Sequence, residues 1–434
     1  MRLPSVGLRC ACAAPAVPTT TLSTRSTPDA PTPGQRPSGI TSATAPVALT
    51  PAATAASRNA WIDQIKAVAC LLIIGHHLAF YGPMSDAARP GAPALVDWFY
   101  DYGRMAVQVF LVLGGYLAAR GLAPAGAPRA TDPMRLIGHR FARLALPYCA
   151  ALALTILVNE AVREFGFRHE SVSDAPTWDQ ILAHLLLVQS IGGWESLSAG
   201  VWYVAIDFQL FALCALWFWL SLRLGGTAQG PDRTSAAPAL PTLAQFGVIA
   251  LGCASLWWWN QAEQLDVWAL YFVGAYALGM MAWWAAHSPN VLARCGWLAA
   301  MLACGAIALT LEWRDRIALA WAAALALAVC SAVHWPEAWR RARWAPLAWV
   351  GQRSYSIFLI HFAVCLLVNA VWSALWPSGI AMNALGMLVA MACSVGAGAL
   401  LYRGVESRQL SWMRLLSWQA GVLSVGALAI KGLL

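Results

Sequence analysis

The stretch that decides the fold is IDQIKAVACLLIIGHHLAFYG, Ile62 to Gly82. From Ile62 to about Phe80 it is apolar over a length that crosses a bilayer as an α-helix, for which roughly 20 residues suffice. Inside that run sit Asp63, Lys66, His76 and His77. A charge near the bilayer centre costs roughly 2.5 to 3.5 kcal/mol even on the lenient insertion scale, so such residues are rare unless they work or snorkel to the surface. The rest of the chain repeats the apolar pattern. Its 434 residues are 59% hydrophobic and 11% charged, with a mean hydropathy of +0.59, against roughly 25% charged in an ordinary soluble domain. Further apolar segments lie at about 104–120, 144–160, 200–222, 243–260, 267–286, 295–311, 317–334, 347–372 and 381–402, with a weaker eleventh at 415–431. They predict an all-α fold, a polytopic membrane helix bundle of 10 to 11 transmembrane helices.

The formal charge of +8 is almost wholly arginine, since Lys66 and Lys431 are the only lysines. Because the arginines sit in short connections between apolar runs, they report topology and no nucleic-acid partner is expected. With a cytoplasmic N-terminus, fourteen arginines after residue 58 fall inside (120, 129, 135, 140, 143, 223, 233, 294, 340, 341, 343, 403, 408 and 414) and six outside (89, 104, 163, 168, 314 and 316). The positive-inside rule selects that orientation, and the expected location is a bacterial inner membrane. Residues 1–58 are rich in Pro, Thr, Ser and Ala and read as a disordered tail. A membrane domain is expected over 59–410 and an additional C-terminal transmembrane helix over 411–434. The long outside stretch before residue 200 contains an amphipathic or re-entrant piece around Ile181 to Gln189. Eleven scattered cysteines form no CxxC pair, which argues against a metal site and for small core residues.

Five constellations carry ionisable groups into apolar runs or to their ends. On an α-helix, residues eleven apart nearly eclipse, so Asp63, Lys66, Cys70, His77 and Tyr81 form one stripe, with Lys66 and His77 roughly 16 Å apart along the axis. Histidine is the natural general base at depth. The competing reading is that Lys66 snorkels, Asp63 caps the helix and the histidines bond neighbours. Arg140 and Arg143, three apart, face one way at the start of the third segment, where two guanidinium forks suit the phosphates of a nucleotide-bearing donor; arginines at an inside boundary also satisfy topology alone. Asp207 lies well inside an apolar segment, five residues after Trp202, a costly place for an acid unless it is neutral or paired. VGQRSYSIFLIHFAV buries Arg353, Ser354, Tyr355 and His361; a Ser/His pair with no acid or oxyanion donor is a poor hydrolase, so these residues read as pocket lining. LYRGVESRQL adds Arg403 and Glu406, an i, i+3 pair read as structural.

In this order, the stretches resemble the acyltransferase type 3 family of bacterial membrane proteins. Lys66 and His77 match its Arg/Lys, ten residues, His motif, and Arg140 with Arg143 its paired arginines before Pro and Tyr. VFLVLGGYL (109–117), VWYVAIDFQLF, GQRSYSIFLIHF and LYRGVESR resemble four further family signatures. The resemblance covers about residues 60–410 and implies transfer of an acyl group, commonly acetyl or succinyl, from cytoplasmic acyl-CoA to a hydroxyl of a glycan, a lipid-linked molecule or another cell-envelope acceptor. Acyl-CoA would be a donor substrate, with no permanently bound cofactor. His77 would be the catalytic histidine, Lys66 its charged partner, and Arg140 and Arg143 the CoA-phosphate ligands. Asp207 would orient His77 or bind the acceptor. His76 either supports His77 or is merely adjacent, and Asp63, Trp202, Ser354, Tyr355 and His361 would line the pocket. Lysine stands at 66 where arginine is usual, Asp207 where glutamate is usual, Gly114 where serine is usual, and Ser407 near a usual proline. The rival expectation is a transporter or flippase for a glycan-linked lipid, with the buried charges as its path. The density of buried polar groups argues against a sensor or scaffold.

Overall fold

The computed structural model describes residues 60–129, 131–225, 241–333 and 344–434. The tail and the expectation that it is disordered lie outside the described residues. The described chain is helical, with no β-sheet among the described residues. Helix α1 (Ala60–Phe80) is followed by the short α2 (Pro83–Ala88) and by α3 (Pro93–Tyr102), which passes through a tight turn into α4 (Val107–Leu122). Then come α5 (Pro133–Glu164), α6 (Trp178–Leu185), α7 (Val201–Arg223), α8 (Leu243–Trp257), α9 (Ala269–His287) and α10 (Val291–Leu311). The chain ends with α11 (Asp315–Ala332), α12 (Ala345–Leu375), α13 (Ile380–Leu401) and α14 (Trp412–Ile430). Among the described residues, ten helical stretches are long and apolar enough to cross a membrane, α3 and α4 together making one of them. The protein is a multi-pass membrane helix bundle.

At 15 residues α8 is shorter than those ten, roughly 22 Å at 1.5 Å per residue, yet the packing makes it cross. Helices α1 and α12 lie side by side and point the same way: Gly351 abuts the Asp63 backbone, Cys70 Sγ donates to the Ser354 carbonyl at 3.6 Å, and His77 meets His361. Two parallel helices are separated by an even number of crossings, and the steps from α1 to α12 are even only if α8 is one of them. Its ends agree. Thr242, its N-cap, donates to the Gly126 carbonyl after α4, whereas Ser255 near its C-terminus donates to the Tyr271 carbonyl at the start of α9. We call the face where α1 begins the near face and the opposite one the far face.

The eleventh segment, whose crossing the sequence leaves open, also crosses. Trp412 at the start of α14 lies against Gly138 near the start of α5, and Gly426 near its end lies against Ile181 of α6, so the C-terminus is on the far face. Helix α6 is the amphipathic piece expected near Ile181; a Thr177–Gln180 capping box starts it and Leu187, at φ 58°, ends it.

Backbones approach closely where the sequence offers glycine. A Cβ at Gly115 would stand 1.8 Å from the Tyr276 carbonyl oxygen, and one at Gly279 1.9 Å from that of Val112, so α4 and α9 touch main chain to main chain, the usual way for helices to associate where no water drives them together. From Tyr271 to Ala286 every residue of α9 is buried, which places this helix, apolar all round, at the centre of the bundle.

Candidate active site

Two histidines meet at the seam of α1 and α12. His77 Nδ1 lies 2.6 Å from His361 Nε2, their rings stacked within 2° of parallel, with 8% and 0% of their surfaces exposed. The hydrogen-bond directions follow from the last partner. His361 Nδ1 is 2.7 Å from the Phe358 carbonyl, which only accepts, so the proton sits on His361 Nδ1 and a neutral His361 presents a lone pair at Nε2. His77 Nδ1–H donates to that lone pair. The network thereby assigns His77 the tautomer with a free lone pair on Nε2, the arrangement a proton acceptor or nucleophile requires. Tyr81 and Phe362 close around the His77 ring at 5.6 and 6.2 Å between centroids.

The near-face end of the stripe is ionic. Lys66 pairs with Asp63 at 3.6 Å. Across from them α13 ends in a π-helical turn, Tyr402–Glu406, a geometry frequent at functional sites. The turn swings Glu406 inward to accept a hydrogen bond from Ser356 Oγ at 2.5 Å, within electrostatic reach of Arg143 and Lys66. Arg403 points outward and is exposed, so the pairing expected with Glu406 is replaced by one across the helix seam. The sequence signal for Glu406 was present in LYRGVESR; what it lacked was the partner.

Beside this cluster Arg140 and Asp207 form a partly buried ion pair, Nη2 to Oδ2 2.5 Å, with the guanidinium over the Phe211 ring at 5.3 Å. Asp207 is 4% exposed, and pairing is what permits its charge there. Arg140 and Arg143 therefore part company: Arg143 is exposed near Glu406, while Arg140 is engaged with Asp207. The hydrogen-bond partner of His77 is His361, while Asp207, expected either to orient His77 or to bind the acceptor, is paired with Arg140. Arg140 Nε and the hydroxyls of Tyr148 and Tyr276 are buried with no hydrogen-bond partner. Pro147 interrupts α5 beside them, and Tyr355 donates to the nearby Leu144 carbonyl at 2.9 Å. The rings of Phe110, Tyr203 and Phe358 contact one another, with Phe358 5.8 Å from His361 and Tyr203 within reach of the Arg140–Asp207 field. They bridge the ion pair to the histidines.

On the far face a cavity of about 520 Å³ is lined by Arg104, Gln108, Trp194, Glu195, Trp202 and Arg316, among others. Trp202, expected in the pocket, is in its wall, with Phe272 behind it at 5.6 Å. Burial raises the Tyr81 phenol above its ordinary range, and the charges of Glu170 and Glu195 hold it further up. His76 bonds the Phe99 carbonyl at 3.1 Å and ties α1 to α3, with Arg104 within electrostatic reach. The buried Ser354 presents its carbonyl to Cys70. Arg353 is outside the site, stacked on Trp349 and Tyr402 at 4.1 and 5.1 Å.

A family model described as an acyltransferase domain matches residues 59–403. The chain belongs to the acyltransferase type 3 family. No curated protein and no solved structure matches the chain. The acyltransferase match begins just before α1 and stops inside the π-helical turn, so it contains the histidine pair, Lys66 and the Arg140–Asp207 pair, while Glu406 and α14 lie beyond it. What this acyltransferase offers is a hydrogen-bonded histidine pair at depth, an ionic cluster towards the near face, and a polar cavity with aromatic walls on the far face.

Proposed function

We propose that this acyltransferase moves an acetyl or succinyl group from acyl-CoA, bound from the cytoplasmic near face, to a hydroxyl of a glycan or other cell-envelope acceptor held at the far face of the inner membrane. The observation that carries the reading is the ordered pair of hydrogen bonds from His77 through His361 to the Phe358 carbonyl. In direct transfer, the acceptor hydroxyl gives its proton to His77 Nε2 as its oxygen attacks the thioester carbonyl. The C–S bond breaks, and the sulfur of the departing CoA takes the proton back. In a two-step route the same lone pair attacks the carbonyl and the C–S bond breaks to release the CoA thiolate; the acceptor oxygen then displaces the histidine, and the hydroxyl proton passes through the freed Nε2 to the thiolate. Both routes need the tautomer that His361 selects.

Lys66, Arg143 and, through its unpartnered Nε, Arg140 offer cationic groups to the donor; Asp63 pairs with Lys66, and Glu406 lies within electrostatic reach of Lys66 and Arg143. The arginine asymmetry supports a cytoplasmic near face. Asp207 keeps Arg140 in place; we assign it positioning, not proton transfer.

The test is thiol release from acetyl-CoA and succinyl-CoA by protein in lipid nanodiscs, with and without a cell-envelope extract, comparing wild type with His77→Ala. Extract-stimulated release that disappears in a folded His77→Ala protein supports the reading. Movement of a glycan-linked lipid across the bilayer with no thiol release and no CoA binding would replace it with the transporter.

A further inference from the structure

A second cavity, of about 620 Å³, is a groove in the side of the bundle between α1, α3, α4 and α11. Its walls are chiefly apolar: Ile65, Val68 and Leu72 on α1, Trp98 and Tyr102 on α3, Val109 on α4 and Leu319 on α11. Val68, Trp98 and Tyr102 are 47%, 45% and 47% exposed. They belong to membrane-crossing helices, where exposure means contact with hydrocarbon and not with water. The groove is an opening toward lipid.

Its position relative to the far-face cavity gives it meaning. Met105 lines both. Arg104 faces the polar cavity and Ala106 the groove; Arg316 faces the polar cavity and Asp315 the groove. The boundary between them thus runs along these residues at two places, the turn before α4 and the start of α11. One side of it is charged and aromatic, the other apolar and open to acyl chains. The boundary also stands beside the catalytic seam, because His76, next to His77, bonds the Phe99 carbonyl and Gly103 lies against the His76 Cβ.

We infer that the acceptor is an amphiphile, a hydroxyl-bearing polar head seated in the far-face cavity with its hydrocarbon chain lying in the lateral groove. The inference rests on the acyltransferase reading and names the substrate class of that site. Hydrocarbon is the occupant that needs no hydrogen-bond partners from an apolar wall, and the head is the part that Arg104, Glu195, Arg316 and the tryptophan faces recognise through hydrogen bonds and stacking. The tail holds the head beside His77 by confining it to the membrane plane, so that the hydroxyl arrives already positioned.

Two measurements on the full chain in nanodiscs test this. In the first, a phosphatidylglycerol carrying a diazirine in one acyl chain is the probe, and the labelled residues are mapped after illumination. Labelling at Val68, Leu72, Val109 and Leu319 should exceed that at the lipid-facing Leu302 and Ile307 of α10 by about tenfold, and should fall to their level in Val68→Trp. Uniform labelling, or cross-linking of the groove to a second copy of the chain, overturns the inference. In the second, thiol release from acetyl-CoA is compared with an organic-solvent extract and a water-soluble extract of the cell envelope. Release that follows the organic extract, and drops about tenfold in kcat/KM in a Val68→Trp protein that still binds acetyl-CoA, supports an amphiphile. Release that follows the water-soluble extract and is indifferent to Val68→Trp overturns it and leaves the acyltransferase reading standing. Absence of both thiol release and acetyl-CoA binding overturns that reading and this inference with it.

Discussion

Replacing His361 by leucine isolates what the histidine pair contributes. The side chain is fully buried and bridges His77 Nδ1 to the Phe358 carbonyl. Leucine fills similar space but accepts nothing, so a buried N–H on His77 loses its partner. Leaving such a donor unsatisfied costs about 1 to 3 kcal/mol. His77 escapes that cost by turning its ring or by moving the proton to Nε2, and either change removes the lone pair from the reacting position. At about 1.4 kcal/mol per factor of ten, kcat should fall roughly 5- to 150-fold, with the KM for acetyl-CoA nearly unchanged because the donor cluster is elsewhere. Glutamine at 361 can accept through its oxygen and donate through its nitrogen, so His361→Gln should retain most of kcat where His361→Leu does not. The assay is initial-rate thiol release in nanodiscs with saturating acceptor extract, alongside thermal unfolding to confirm the fold. A His361→Leu protein with wild-type kcat, or a His361→Gln protein as impaired as His361→Leu, would refute the relay.

Breaking the Arg140–Asp207 pair by Arg140→Gln alone should lower unfolding stability by about 3 to 5 kcal/mol, since it strands the buried Asp207 carboxylate. The double variant Arg140→Gln with Asp207→Asn should lose less than either single change, as measured by denaturant unfolding in micelles. His184 on α6 donates from Nδ1 to the Gln180 carbonyl and accepts at Nε2 from the Leu197 N–H, and burial lowers its pKa from 6.5 to about 4. The unfolded segment therefore binds the proton first: stability is full above about pH 6.5 and falls as the pH drops towards 4, by up to roughly 3 kcal/mol. Hydrogen-exchange protection factors across residues 178–197, taken relative to the intrinsic rate at each pH, should fall at pH 5 in wild type and not in His184→Gln. Because α14 crosses, a cysteine placed at Leu434 should react with an impermeant maleimide from the far side in intact cells, and one at Ser411 only after permeabilisation. Gly279→Leu should abolish folding, the new Cβ standing 1.9 Å from the Val112 carbonyl oxygen, which expression as a monodisperse membrane protein would report.

The helical membrane bundle was written in the sequence because it depends on local properties: runs of apolar residues long enough to cross, and arginines in the connections. The stripe Asp63, Lys66, Cys70, His77 was equally local, since 3.6 residues per turn places it on one face whatever the helix packs against. Partnership was not local. His361 comes 284 residues after His77 and faces it only because α1 and α12 run parallel. Arg140 shares a helix face with Arg143 in the sequence but is claimed by Asp207 on α7, because a buried acid takes the cation that can reach it, and Glu406 is turned from its i, i+3 neighbour to Ser356 by a π-helical turn. Period and composition settle which faces are apolar and which carry charge. Which charged groups meet, whether the short α8 crosses, and how the polar cavity abuts the lipid groove are decided by helix–helix packing, since each depends on contacts between segments far apart in the chain.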